Sequence, residues 1–143
     1  MKLAQSKIMV FGTFDFLHKG HLDFFKQARS LSQKPFLIVS IARDQNVKKI
    51  KRKSPLYNEQ ERLASVAGSK LVDKAVLGGL RNYLSHIVKE RPQIIALGYD
   101  QSSYTKGLKH ELMVRGLHVK IVRLKAHRPH LYKSSILKAK KSL

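Results

Sequence analysis

Five short, almost entirely apolar segments recur along the chain, and stretches with helical periodicity separate them. Strands of a parallel sheet have this composition, because helices cover both faces of such a sheet. The alternation therefore predicts a single α/β domain over residues 1–143, with a doubly wound, parallel five-stranded sheet. The predicted strands are Ile8–Phe11, Phe36–Ala42, Val72–Leu77, Ile94–Leu97 and Val119–Val122. The predicted helices are Lys19–Leu31, Asn58–Gly68 with Asn58 as N-cap, Asn82–Glu90, Gly107–Val114 and a basic helix at Ser134–Lys141.

The first strand runs directly into a glycine, a short turn and the start of a helix, between Gly12 and His21. A helix N-terminus presents unpaired N–H groups and the positive end of the helix dipole, and both favour a bound phosphate. His18 and His21 are three residues apart, so their rings lie on one face of the first turn. Gly20 stands between them and lets a ligand approach the backbone closely. The segment therefore predicts a phosphate site.

The same segment resembles the signatures of a known family. Residues 12–15 read GTFD and residues 18–21 read HKGH, which is similar to the GTFD and HxGH motifs of cytidylyltransferase-like nucleotidyltransferases. This resemblance implies a Rossmann-like fold, transfer of a nucleoside monophosphate to a phosphate acceptor, release of pyrophosphate, and catalytic roles for His18 and His21. It also implies a divalent ion, Mg²⁺, that bridges phosphate oxygens, with Asp15 as the nearest candidate ligand. The residues expected to bind the nucleotide here are Gly12, Thr13, Phe14, His18, Lys19, Gly20 and His21.

A second run selects a branch within the family. Residues 97–101, LGYDQ, resemble archaeal-type FAD synthases, as do residues 47–49 and 72–78. This resemblance implies ATP and FMN as substrates, FAD as product, and Asp100 near the ribose or base. A carboxylate accepts from the amino group of adenine or of cytosine, so a CTP-dependent glycerol-3-phosphate (or other small phosphate) cytidylyltransferase is the alternative. The candidates for an aromatic flavin surface are Phe14, Tyr99, Tyr104 and Tyr132.

Residues 128–135 resemble another signature, known from glycerol-3-phosphate cytidylyltransferases, in which an arginine precedes hydroxyl residues that open a helix. Arg128 matches the arginine, and Ser134 and Ser135 match the last two hydroxyls, whereas Lys133 stands where a serine is usual. The resemblance implies a catalytic Arg128 and nucleotide binding by Arg128, Tyr132, Ser134 and Ser135. A forked guanidinium and helix N–H groups suit the β- and γ-phosphates. Helix capping by the two serines is compatible with this role.

Residues 47–55 contain five basic side chains and are predicted to form a loop. The family resemblance implies that a lysine of this loop reaches the triphosphate or the acceptor, and Lys48 is the candidate for catalysis. Lys51, Asp44 and Arg62 are expected to bind the acceptor. A run of solvated charges and a surface arginine are the alternative interpretations.

Composition limits the remaining classes of function. No apolar run approaches the roughly 20 residues of a membrane span, so no membrane partner is expected. The absence of cysteine excludes disulfides and thiolate chemistry, and it agrees with a cytoplasmic location. The 29 Lys and Arg outnumber 9 Asp and Glu, and the net charge of +20 attracts anions. Without an RNA-binding motif we expect no specific nucleic-acid partner. A basic nucleotide- or RNA-binding module is the non-enzyme alternative, and the family resemblance implies a homodimer.

Overall fold

The computed structural model describes residues 4–51, 54–79, 83–98, 101 and 107–125, and the side chains of residues 50 and 51 are not among the described parts. In chain order the elements are β1 (Ser6–Gly12), α1 (Lys19–Arg29), β2 (Pro35–Ile41), α2 (Asp44–Lys51), α3 (Glu59–Ala67), β3 (Lys74–Leu77), α4 (Tyr83–Glu90), β4 (Ile94–Leu97), α5 (Leu108–Val114) and β5 (Lys120–Arg123). All five strands pair in parallel in the order β3–β2–β1–β4–β5. None of the described helices is long and apolar enough to cross a membrane.

The direction in which strands are added reverses at the central strand, β1. The chain adds β2 and β3 on one side of β1 and then returns to add β4 and β5 on the other. Helices α1 and α3 cover one face of the sheet with Phe25 and Val66, and α4 and α5 cover the opposite face with Ile87 and Leu112. Sheets of this kind bind ligands beyond the carboxyl ends of the strands where the order reverses. That point lies here between β1 and β4.

The prediction of a doubly wound α/β fold is confirmed, and the strands lie within two residues of their predicted bounds. Asn58 caps α3 as predicted, since its side chain accepts the Glu61 N–H while Glu61 accepts the Asn58 N–H. The predicted helix at residues 134–141 lies outside the described residues.

The prediction of a loop at residues 47–55 was wrong for its first half, which belongs to α2. The start of α2 is fixed by hydrogen bonds to a residue that lies beyond residues 47–55. The Asp44 N–H donates to the Glu59 carboxylate at 3.0 Å, and the Glu59 N–H donates to the Asp44 carboxylate at 3.0 Å. The two helix starts therefore hold each other, and a scan of local periodicity does not detect such a pairing.

A candidate nucleotide site beside the switch point

His18 forms the N-cap of α1. Its backbone is extended, and its Nδ1 accepts the Gly20 N–H at 3.0 Å. The His18 N–H in turn donates to Nδ1 of His21 at 3.3 Å, which completes a reciprocal capping box. The prediction that both histidines lie on one face of the first turn is confirmed. The Gly20 N–H is used by the cap and therefore stabilises the start of the helix.

The two imidazole rings are stacked, with centroids 3.9 Å apart and an interplanar angle of 23°. Because Nδ1 of each ring accepts an N–H, the ring proton of each neutral histidine sits on Nε2. Burial lowers the pKa of His18. Burial and, to a smaller extent, the nearby His18 lower the pKa of His21 to about 3, while a hydrogen bond to the Phe16 backbone raises it. Both rings are therefore neutral donors near pH 7.

The Nε2 atom of His18 is buried and has no hydrogen-bond partner among the described residues. A buried donor without a partner costs free energy, and such atoms are uncommon in folded proteins. This N–H is held in place by the cap on one side of its ring and by the His21 stack on its face. It is therefore a preorganised donor for an incoming ligand atom.

Phe14 shapes the loop that precedes the histidines. Its backbone lies in the left-handed region, with φ of 52°, and its ring is 5% exposed. The ring packs edge-on against His21 at 5.1 Å and covers Gly12 so closely that a Cβ there would lie 2.7 Å from two ring atoms. Gly12 is thus required by the Phe14 ring. The ring belongs to the core cluster and is largely buried, and the expectation that it offers an aromatic surface to a flavin stays a prediction.

Asp15 fastens the same loop to the segment before α3. One carboxylate oxygen accepts the Leu56 N–H at 2.7 Å and the other accepts the Tyr57 N–H at 2.8 Å, and the residue is 5% exposed. Both oxygens are thus committed to backbone donors. This arrangement gives Asp15 a structural role and argues against the metal-ligand role expected from the sequence.

Arg62 was expected to bind the acceptor, and the structure places it inside the protein instead. The residue is 1% exposed, and its guanidinium donates to the carbonyls of Tyr57, Thr13 and Ala42 at 2.8–3.1 Å. It also pairs with the Asp44 carboxylate at 2.6 Å. Four of its five N–H donors are therefore used within the chain. Arg62 joins the loop after β1, the end of β2 and the starts of α2 and α3.

Asp44 likewise leaves the expected acceptor set, since its oxygens accept from Arg62 and from the Glu59 N–H. Lys48 is exposed on α2 and lines an open depression of about 580 Å³ between α2 and the start of α3. Lys19 is exposed at the first position of α1. Lys51 ends α2, but its side chain lies outside the described residues. Of the predicted cations, Lys48 and Lys19 therefore keep accessible positions.

Gln101 bridges the carboxyl ends of β1 and β4, a role that the sequence did not reveal. Its side-chain nitrogen donates to the Phe11 carbonyl at 2.6 Å, and its side-chain oxygen accepts the Gly98 N–H at 2.8 Å. Arg123, at the end of β5, donates to the Gly98 carbonyl at 2.7 Å. The carboxyl ends of three adjacent strands are joined in this way. The sequence signal for this role was a glutamine shortly after a buried strand. It lies in the run of residues 97–101, which indicated only a branch of the family.

Comparison with known proteins identifies the family. The cytidylyltransferase-like family model matches residues 9–140. The chain belongs to the cytidylyltransferase-like family. It is 44% identical to an FAD synthase of Korarchaeum cryptofilum, over 82% of this chain and 80% of that protein, and 40% identical to one of Archaeoglobus profundus, over 90% and 81%. The crystal structure of a lipopolysaccharide core biosynthesis protein from Thermoplasma volcanium superposes with a TM-score of 0.79 at 34% identity, covering 85% of this chain and 98% of that one.

Membership of the cytidylyltransferase-like family confirms the resemblance drawn from residues 12–21 and makes the chain a nucleotidyltransferase. Several residues that the resemblance assigned to this site lie outside the described residues, and their roles stay predictions. They are Tyr99, Asp100, Tyr104, Arg128, Tyr132, Ser134 and Ser135.

The described residues do not supply a ligand set for a divalent ion. Among them, no group of three or more His, Asp or Glu side chains is placed to hold a metal. Asp15, the expected ligand, accepts two backbone N–H groups instead.

Proposed function

We propose that this chain transfers AMP from ATP to FMN and releases FAD and pyrophosphate. The observation that carries the proposal is the buried Nε2–H of His18, a preorganised donor at the start of α1 beside the switch point. The FAD synthases that share 40–44% identity with the chain support the choice of ATP and FMN.

For this reaction the protein must position two anions, the phosphate of FMN and the triphosphate of ATP. An oxygen of the FMN phosphate attacks the α-phosphorus of ATP and forms the new P–O bond. The bond from the α-phosphorus to the bridging oxygen breaks, and pyrophosphate leaves with the electron pair. The acceptor is already an anion near neutral pH, so no general base is needed. Catalysis then rests on alignment and on donors that stabilise the negative charge of the transition state.

The described residues divide this task. His18 donates its Nε2–H to an oxygen of the α-phosphoryl group and stabilises the negative charge of the transition state there. His21 holds the His18 ring by stacking and by accepting its backbone N–H. The positive end of the α1 dipole adds to the potential at the same place. Lys48 approaches from α2, on the β2 side of β1, and attracts the acceptor phosphate.

A labelling experiment tests this proposal. ATP labelled at the α-phosphorus and FMN are incubated with the protein, and the products are separated. The proposal expects the label in FAD and one pyrophosphate for each FAD formed. Label that stays in ATP while α-labelled CTP is incorporated into glycerol 3-phosphate would show the other predicted branch of the family. The Mg²⁺ requirement, a homodimer, the cytoplasmic location and the absence of a specific nucleic-acid partner stay predictions.

A further inference from the structure

A groove of about 350 Å³ lies between the loop of residues 14–17 and the first half of α3. It is separate from the crevice between β1 and β4. Because α3 packs over β2 and β3, the groove lies on the β2 side of β1, opposite to β4. It nonetheless adjoins the histidine site, because Leu17, which lines the groove, directly precedes His18.

The two sides of this groove differ in chemistry. Phe16, Leu17 and Tyr57 supply aromatic and apolar surface. Glu61 and Ser65, four residues apart on α3, supply a carboxylate and a hydroxyl on one helix face. A planar ligand that fits between these sides has a π-face and one edge rich in hydrogen-bonding groups.

We propose that this groove seats the isoalloxazine ring of FMN, an inference that rests on the proposed function. The isoalloxazine is planar, with an apolar dimethylbenzene edge and a pyrimidine edge that carries an N–H and carbonyls. Tyr57 and Phe16 pack against the ring, and the carboxylate of Glu61 accepts the pyrimidine N–H.

Charge fixes which end of FMN enters the groove. Glu61 repels a phosphate, and one of its oxygens already accepts the Asn58 N–H of the α3 cap. The phosphate of FMN is therefore directed out of the groove, towards His18 and the exposed Lys48. With the nucleotide in the crevice between β1 and β4, the acceptor then reaches the α-phosphorus from the β2 side. This placement allows pyrophosphate to leave on the opposite side, as an in-line displacement requires.

The first test fills the groove. Ser65 is exposed on α3, so Ser65→Trp adds bulk to the groove without disturbing the core. Ala64→Trp is the matched control, because Ala64 is the exposed neighbour on α3 and does not line the groove. We expect Ser65→Trp to raise the KM for FMN by about tenfold or more and to leave the KM for ATP within about twofold. The control should change neither. An unchanged KM for FMN, or a raised KM for ATP alone, would overturn the assignment.

The second test removes and restores the ring contact. Tyr57→Ala should weaken binding of riboflavin, which has the ring but no phosphate, by about three- to tenfold, and Tyr57→Phe should restore it. Riboflavin fluorescence reports binding without turnover. Wild-type protein that makes no FAD would refute the proposed function, and riboflavin binding then still decides the groove. Equal riboflavin affinity in wild type and in both the Ser65→Trp and Tyr57→Ala variants would refute the groove alone.

Discussion

His18 combines two tasks in one ring, and His18→Asn separates them. Nδ1 of His18 accepts the Gly20 N–H and caps α1, whereas the buried Nε2 has no partner among the described residues. Asparagine is among the preferred N-cap residues, and its side-chain oxygen takes over the Gly20 N–H. The variant therefore keeps the cap and lacks the Nε2 donor. His18→Ala would lose both and cost about 0.5–2 kcal/mol of stability as well.

The expected size of the effect follows from the burial of Nε2. The Nε2–H donor is already buried, and its ring is fixed by the cap bond from Gly20 and by stacking on His21, so a phosphoryl oxygen meets it without further reorganisation. Loss of one such transition-state donor lowers kcat by about 10²–10³, or about 2.7–4 kcal/mol. We expect this loss in His18→Asn, with a midpoint of urea unfolding close to that of the wild type. Pyrophosphate release and urea unfolding measure the two quantities.

A variant at the other end of α1 is the control. The Ser30 hydroxyl donates to the Gln27 carbonyl at 2.6 Å, far along the helix from the histidines. Ser30→Ala should lower the free energy of unfolding by about 0.5–1.5 kcal/mol and leave kcat unchanged. Near-wild-type turnover in a stably folded His18→Asn protein would refute the donor role. A large loss of stability in that variant would refute the division of tasks within the ring.

Three further predictions concern the supports of the site. Arg62→Lys should lower the free energy of unfolding by about 2 kcal/mol or more, because buried carbonyls lose their donors; an unchanged stability with a raised KM for the acceptor would instead favour direct binding. Gly12→Ala should lower the melting temperature, since the methyl meets the Phe14 ring at 2.7 Å, whereas Gly68→Ala, at a φ of −74° with ordinary contacts, should not; equal melting temperatures would contradict the close packing. The free energy of unfolding measured with urea should fall as the pH drops from 6.5 towards about 5. The reason is that His21 in the unfolded chain binds a proton, whereas the folded ring, with its pKa lowered to about 3, does not. A free energy of unfolding that rises over this pH range would contradict the prediction.

The fold was predictable because each strand is buried on both faces and therefore carries a local signal. Runs such as Phe36–Ala42 and Ile94–Leu97 read as strands without any knowledge of their neighbours. The start of α2 was missed for the opposite reason. It depends on bonds between Asp44 and Glu59, which are fifteen residues apart in sequence and meet only in the folded chain.

The site was predictable where one continuous segment builds it. His18 and His21 lie within a single helical turn, so spacing alone places their rings together. The errors concern charged side chains whose partners are distant in sequence. Arg62 and Asp15 have the residue types of phosphate and metal ligands, but carbonyls and N–H groups of other segments use their polar atoms. The lowered pKa values of the histidines also arise from burial, which spacing does not give.

The choice of substrates tests the account most directly. Pyrophosphate release is measured with wild-type protein in four mixtures, pairing ATP or CTP with FMN or glycerol 3-phosphate. The account predicts that ATP with FMN gives the fastest release by far, with FAD formed in equal amount, and that CTP with glycerol 3-phosphate gives little. Turnover of CTP with glycerol 3-phosphate and none of ATP with FMN would contradict the proposed function, and the riboflavin-binding test would then decide the flavin groove separately.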